Sequence, residues 1–222
     1  MNKNTLLIII TINFLLFGSN DPNQDLLNYL KEDKNWVLID NKSGDLRVFE
    51  KDIPKMNLNA LKVEKIVEID PNKILKVVMD IENYSEVMDN EAMISYLIGK
   101  KNNNIYAYNK FSIPLPFIRN RHYFFKIKQI SKDEINWTLV GDDEVKASPG
   151  LSKILNNNND AVYMNYGAGL WKVDKISDNL SKVSYSLYMD SGGSLSNHLN
   201  DLLTSQSIVL LFNGVLKKSR SL

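Results

Sequence analysis

The sequence predicts an α+β fold in which an antiparallel sheet of about nine strands carries a long C-terminal helix packed across it. Three observations carry that prediction. Between residues 36 and 189 the chain is dominated by alternating or β-former-rich runs joined by short polar links. Three prolines follow residues that cap helices, at Asp21-Pro22, Asp70-Pro71 and Ser148-Pro149. The terminal segment SLSNHLNDLLTSQSIVLLFNGVLKKS lacks Pro and spaces Leu195, Leu199, Leu202 and Leu203 at helical intervals.

Each element follows from local chemistry. At the three cap-Pro pairs a side-chain oxygen precedes a residue whose missing N–H costs nothing at the first helical position, which predicts helices near 23–33, 71–79 and 149–155. Strands are expected at Trp36 to Asp40, Leu46 to Glu50, Leu61 to Ile69, Met93 to Ile98 and Ile105 to Ile113. Four more are expected at Tyr123 to Ile130, Ile135 to Val140, Val162 to Ile176 and Val183 to Met189. Links such as Lys42-Ser43-Gly44-Asp45 and Asn102-Asn103-Asn104 are short enough for hairpins. At ~1.5 Å per residue the terminal helix spans roughly the length of a ten-residue strand, so it can lie along the whole sheet. Ile208 to Phe212 are apolar all round, which requires cover on more than one side, expected from an inserted loop or short helix.

Composition narrows the function. The chain has 222 residues, 44% apolar and 24% charged, which suits a single globular domain. Residues 1–20 combine Lys3, an apolar run from Leu6 to Phe17 and the small residues Gly18 and Ser19, the shape of a secretory leader; the run is too short for the ~20 residues that span a bilayer. A signal peptide over 1–20, a domain over 21–222 and export to the periplasm or exterior are therefore expected, with a membrane tether through an uncleaved leader as the alternative. Beyond the leader 26 basic residues balance 26 acidic ones, so nothing draws the protein to nucleic acid. The lack of Cys removes disulfides, thiol nucleophiles and zinc ribbons. With only His122 and His198, no ligand spacing suggests a metal, and no cofactor is expected.

One stretch is specific. In FSIPLPFIRNRHYFF, residues 111–125, a Pro-rich turn and an Arg precede a hydrophobic strand. IDPNKILKVVMDIENYSEVM reads as a helix, an Asp and a Tyr-containing turn, and LYMDSGGSLSNHLNDLL reads as a Gly-Gly approach to the last helix. In their order and spacing over residues 23–219 these pieces resemble the START lipid-transfer domains of the helix-grip superfamily. Arg121-His122 stands where that family usually has Arg-Asp, and Ser191 and Ser194 stand where Pro is common. The resemblance implies a curved sheet gripping the terminal helix, an internal cavity, and non-enzymatic binding or transfer of a lipid or other hydrophobic molecule by a monomer, with transient membrane contact.

Strand parity then proposes the cavity wall. Tyr123, Phe125 and Ile127 share one face with Arg121, while His122, Phe124, Lys126 and Lys128 share the other, so the lysines are expected to mark solvent and His122 to be a surface or satisfied histidine. The same parity gives Ile135, Trp137 and Leu139, then Tyr163, Trp171 and Val173, then Val183, Tyr185, Leu187 and Met189. The candidate ligand-binding residues are Tyr108, Arg121, Tyr123, Phe125, Trp137, Trp171 and Tyr185, with Leu202 and Leu210 from the terminal helix; for Arg121 a strand-start anchor is preferred to ligand contact. Ungapped, Tyr108 and Ile127 stand where sterol-binding members of the family place an acid and an Arg. That favours a more apolar lipid, or a hydroxyl-bearing one satisfied by tyrosines. The competing expectations are a helix-grip cyclase or hydrolase using Asp80, Glu91 or Asp190 as a base, and a cavity filled by its own side chains that makes an interaction module. No G-x-S-x-G occurs, and the bland role of Asp190 is to cap a turn.

Overall fold

Two of the three cap-Pro pairs act as side-chain caps. In the computed structural model, which describes residues 21–42, 45–113, 117–178, 180–193 and 197–222, Asp21 accepts the Asn23 amide hydrogen at 3.0 Å and opens α1 (Pro22–Lys31). Asp70 accepts that of Asn72 at 2.8 Å and opens α2 (Pro71–Met79). Ser148 precedes the third helix, Pro149–Asn156, without a side-chain cap bond. The expected leader and Pro114–Pro116 lie outside the described residues.

The strands follow the expected order. β1 (Val37–Lys42), β2 (Leu46–Lys51) and β3 (Ala60–Val67) form a meander; after α2, a 3-10 turn at Ile81–Asn83 and the short α3 (Tyr84–Val87), a second meander runs through β4 (Ile94–Lys101), β5 (Asn104–Phe111), β6 (Arg121–Gln129) and β7 (Glu134–Leu139). Then come α4 (Asp142–Ala147), α5 (Pro149–Asn156), β8 (Val162–Tyr163), β9 (Gly167–Lys175), β10 (Ser181–Met189) and α6 (Asn197–Arg220). The sheet order is β1-β2-β3-β10-β9-β7-β6-β5-β4, all antiparallel along this path, with β8 parallel to the start of β6.

Both faces of the sheet are covered. On the inner face Ile74, Val78, Ile81, Ile208, Phe212 and Val215 pack against Val63, Ile127, Ile135, Leu139, Val173 and Val183, all at or near complete burial. The 24-residue α6 leans on α2, α3, β3 and β10, which buries Ile208 and Phe212 but leaves Leu210 exposed, so the apolar run is covered on part of its circumference and not all round as expected. On the outer face α1 seats Leu26, Leu27 and Leu30 over Ala168, Leu170 and Tyr188. Asn23 staples it there: its Nδ2 donates to the carbonyls of Leu139 and Asn165, and its Oδ1 accepts the Gly167 N–H, each at 2.9 Å.

Two further expectations fail here. The lysines of β6 do not mark solvent, because α4 and α5 lie over that face and bury Phe124, Val140, Val145 and Leu151 together; Lys126 pairs with Asp21 and Glu144 instead. The stretch 162–176 is not one strand. A break between Tyr163 and Gly167 reverses its parity, so Tyr163 falls on the outer face and donates its hydroxyl to Val140 O at 2.6 Å rather than joining Trp171 inside.

Candidate functional site

Between the inner face and α6 lies a cavity of about 310 Å³. Strand alternation aims Phe125, Trp137, Trp171, Tyr185 and Leu187 into it, the segment after α3 adds Met88 and Met93, and α6 closes it with Thr204, Gln206, Ile208 and Leu211. One wall is an aromatic stack: Trp171 lies on Tyr185 at 4.2 Å and 12°, and on Phe212 at 5.8 Å and 5°. Trp137 fits because β9 has a glycine beside it. A Cβ on Gly169 would fall 2.4 Å from the indole, so Gly167-Ala168-Gly169 makes room for a ring.

The polar groups among the described lining residues are neutral. Among the described lining residues there is no Lys, Arg, His, Asp or Glu. Burial raises the hydroxyl pKa of Tyr84, Tyr123 and Tyr185, so all three stay protonated at neutral pH. Tyr84 spends its proton on Val78 O at 2.6 Å. Tyr123 sits at the end of a row of cross-strand neighbours, Ser95 on β4 and Asn109 on β5. The Asn109 amide lies 2.9 Å from the Tyr123 hydroxyl, and Ser95 lies 2.6 Å from Asn109.

Of the residues proposed from sequence, Tyr123, Phe125, Trp137, Trp171, Tyr185 and Leu210 line the cavity; Leu210 stands at its rim, half exposed. The Leu202 side chain, like that of His198, lies outside the described residues. Tyr108 is a correction. β5 sets Ala107 and Asn109 inward, so Tyr108 faces outward, where its hydroxyl lies 3.1 Å from His122 Nδ1. His122 is thereby satisfied rather than exposed, at 1% of its free surface. Its pKa is pushed down to about 4, first by burial and then by Lys110.

Arg121 also stands outside the lining. Its guanidinium donates to the carbonyls of Arg119, Ser191 (2.6 Å) and Gly192 (3.2 Å), pinning the turn before α6, where Gly192 and Gly193 adopt φ of 64° and 72°. Asp190 accepts the Gly192 N–H in that same turn. Arg119 fastens the carbonyls of Asn159, Asp160 and Ala161. Arg119 and Arg121 thus fix backbone, and neither Asp80, Glu91 nor Asp190 lines the cavity. Sequence reasoning missed Asn109, although its parity with Ile105 and Ala107 was readable; its pairing with Ser95 required the sheet register.

No family model and no curated protein sequence matches the chain. Solved structures do. A STAR-related lipid transfer protein fragment from Xanthomonas axonopodis is 21% identical, with a TM-score of 0.62 over 84% of this chain and 97% of its own. Human StAR-related lipid transfer protein 5 is 13% identical, with a TM-score of 0.65 over 90% and 93%. The fold is the helix-grip fold of the START domains. The START fold also carries enzymes: the Zhui aromatase/cyclase from a Streptomyces species superposes with a TM-score of 0.52 over 72% of this chain and 93% of its own, at 8% identity.

Proposed function

We propose that the protein binds a lipid or other hydrophobic small molecule in this cavity and passes it on without chemical change. The observation that carries the reading is a predominantly apolar cavity, walled by aromatic and aliphatic side chains with neutral polar ones between them and with no charged group among its described residues. Such a wall binds by removing apolar surface from water and offers no acid–base pair to a reaction. The likeness to lipid-transfer structures supports the same reading.

Loading belongs at the rim. Leu210 is half exposed there, and Phe117, four residues beyond the cavity-lining Ile113, is fully exposed with a left-handed φ of 66°. An aromatic held in water in a strained backbone suits transient contact with a lipid surface. Among the described residues no helix is long and apolar enough to cross a membrane.

Native mass spectrometry of residues 21–222 tests the reading: a co-purified neutral lipid, lost on denaturation, is expected. A clean apo mass that persists after incubation with lipid vesicles would favour an interaction module, and turnover of the bound molecule would favour a cyclase-like enzyme.

A further inference from the structure

The polar row specifies the ligand's head. Ser95, Asn109 and Tyr123 are side-by-side residues on three strands, and the row reaches the cavity lining at Asn109 and Tyr123. The Ser95 hydroxyl carries one proton but lies 2.6 Å from Asn109 Oδ1 and 2.7 Å from Ile81 O. Two arrangements satisfy it. When Ser95 donates to Asn109, the amide donates to Tyr123 and the phenol proton points into the cavity. With the amide turned over, Ser95 donates to Ile81, the amide nitrogen donates to Ser95, the phenol donates to Asn109 Oδ1, and Tyr123 offers a lone pair.

A hydroxyl can answer both arrangements, since it donates and accepts. A carbonyl answers only the first. A carboxylate or phosphate would find no counter-ion among the described lining residues, a costly burial.

We infer that the cavity selects an uncharged amphiphile whose hydroxyl head bonds to Tyr123 at the end of the Ser95–Asn109–Tyr123 row. This rests on the hydrophobic-ligand reading above and narrows it.

The cavity contains its own reporters, Trp137 and Trp171. Their fluorescence is titrated with 1-decanol, 1-chlorodecane and decanoate at pH 8. Saturable binding of 1-decanol is expected, about five- to tenfold tighter than 1-chlorodecane, the worth of one neutral hydrogen bond, and at least about tenfold tighter than decanoate. In Tyr123→Phe the preference for decanol over chlorodecane should vanish while chlorodecane still binds. If wild type binds all three probes equally, or Tyr123→Phe keeps the preference, the head assignment is overturned and hydrophobic binding stands. If no probe saturates, both fall. Should Tyr123→Phe not fold, the wild-type ranking of the three probes decides alone.

Discussion

Arg121 and His122 are adjacent, and the sheet separates them to opposite faces with opposite electrostatic solutions. Arg121 keeps its charge by giving its protons to three carbonyls, whereas His122 is buried neutral against Tyr108. Charging His122 is therefore unfavourable in the folded state only. Its folded pKa of about 4 lies below the ordinary 6.5, so the unfolded chain takes up the proton first as pH falls. Its contribution to stability is complete above pH 6.5 and is lost progressively towards pH 4, to a total on the order of 3 kcal/mol. Lys110, Arg119 and Asp160 face the same site and do not change that sign. Urea midpoints of wild type and His122→Gln between pH 8 and pH 4 check this: the wild type should lose stability across the window and the variant should show a flatter profile. Equal slopes would remove His122 as the cause.

At the scale of elements the decisive contact is between α6 and α3. Helix propensity alone makes Gly214 a weak point in α6, about 1 kcal/mol worse than Ala. Packing reverses that. A Cβ at Gly214 would lie 1.9 Å from the Val87 carbonyl oxygen, so the glycine is what lets the two helices approach, and the Lys218–Glu86 ion pair closes the same end. The C-terminal half of α6 is thereby fixed, with Ile208, Phe212, Val215 and Leu216 buried, and the half over the cavity presents Thr204, Gln206 and Ser207 to the lining. Gly214→Ala is expected to destabilise by about 1–3 kcal/mol through overpacking, while Gly150→Ala in α5, where a Cβ meets open space, should be neutral or stabilising by up to about 1 kcal/mol. Melting curves of the two variants decide. The same sign for both would show that propensity, not packing, governs position 214.

For the whole molecule, export remains a proposal founded on residues 1–20, whose apolar run is the only one outside α6 suited to a leader. Expression of the full chain in a secreting host should yield soluble protein in the exported fraction with a new N-terminus near Asp21, read by N-terminal sequencing. Membrane-bound protein beginning at Met1 would instead indicate a tether.

The sequence by itself determined the order of elements, because caps, turn chemistry and alternation act within a few residues of where they are written: α1, α2 and α5 start at their cap-Pro pairs, and each expected strand has a counterpart. It also determined which residues of β6, β7 and β10 face inward, since parity holds within an unbroken strand. It did not determine which face of a strand meets water. α4 and α5, which follow β7, fold back over β6, and Phe124 and His122 are buried on that face. Nor could it assign Tyr163, whose face depends on a three-residue break, whereas the outward face of Tyr108 follows from its alternation with Ala107 and Asn109 in the unbroken β5. The polar row, the seat for Trp137 at Gly169 and the close approach at Gly214 belong to the tertiary structure for the same reason: each joins residues on different elements, and such contacts are fixed by register and packing, which local periodicity does not encode.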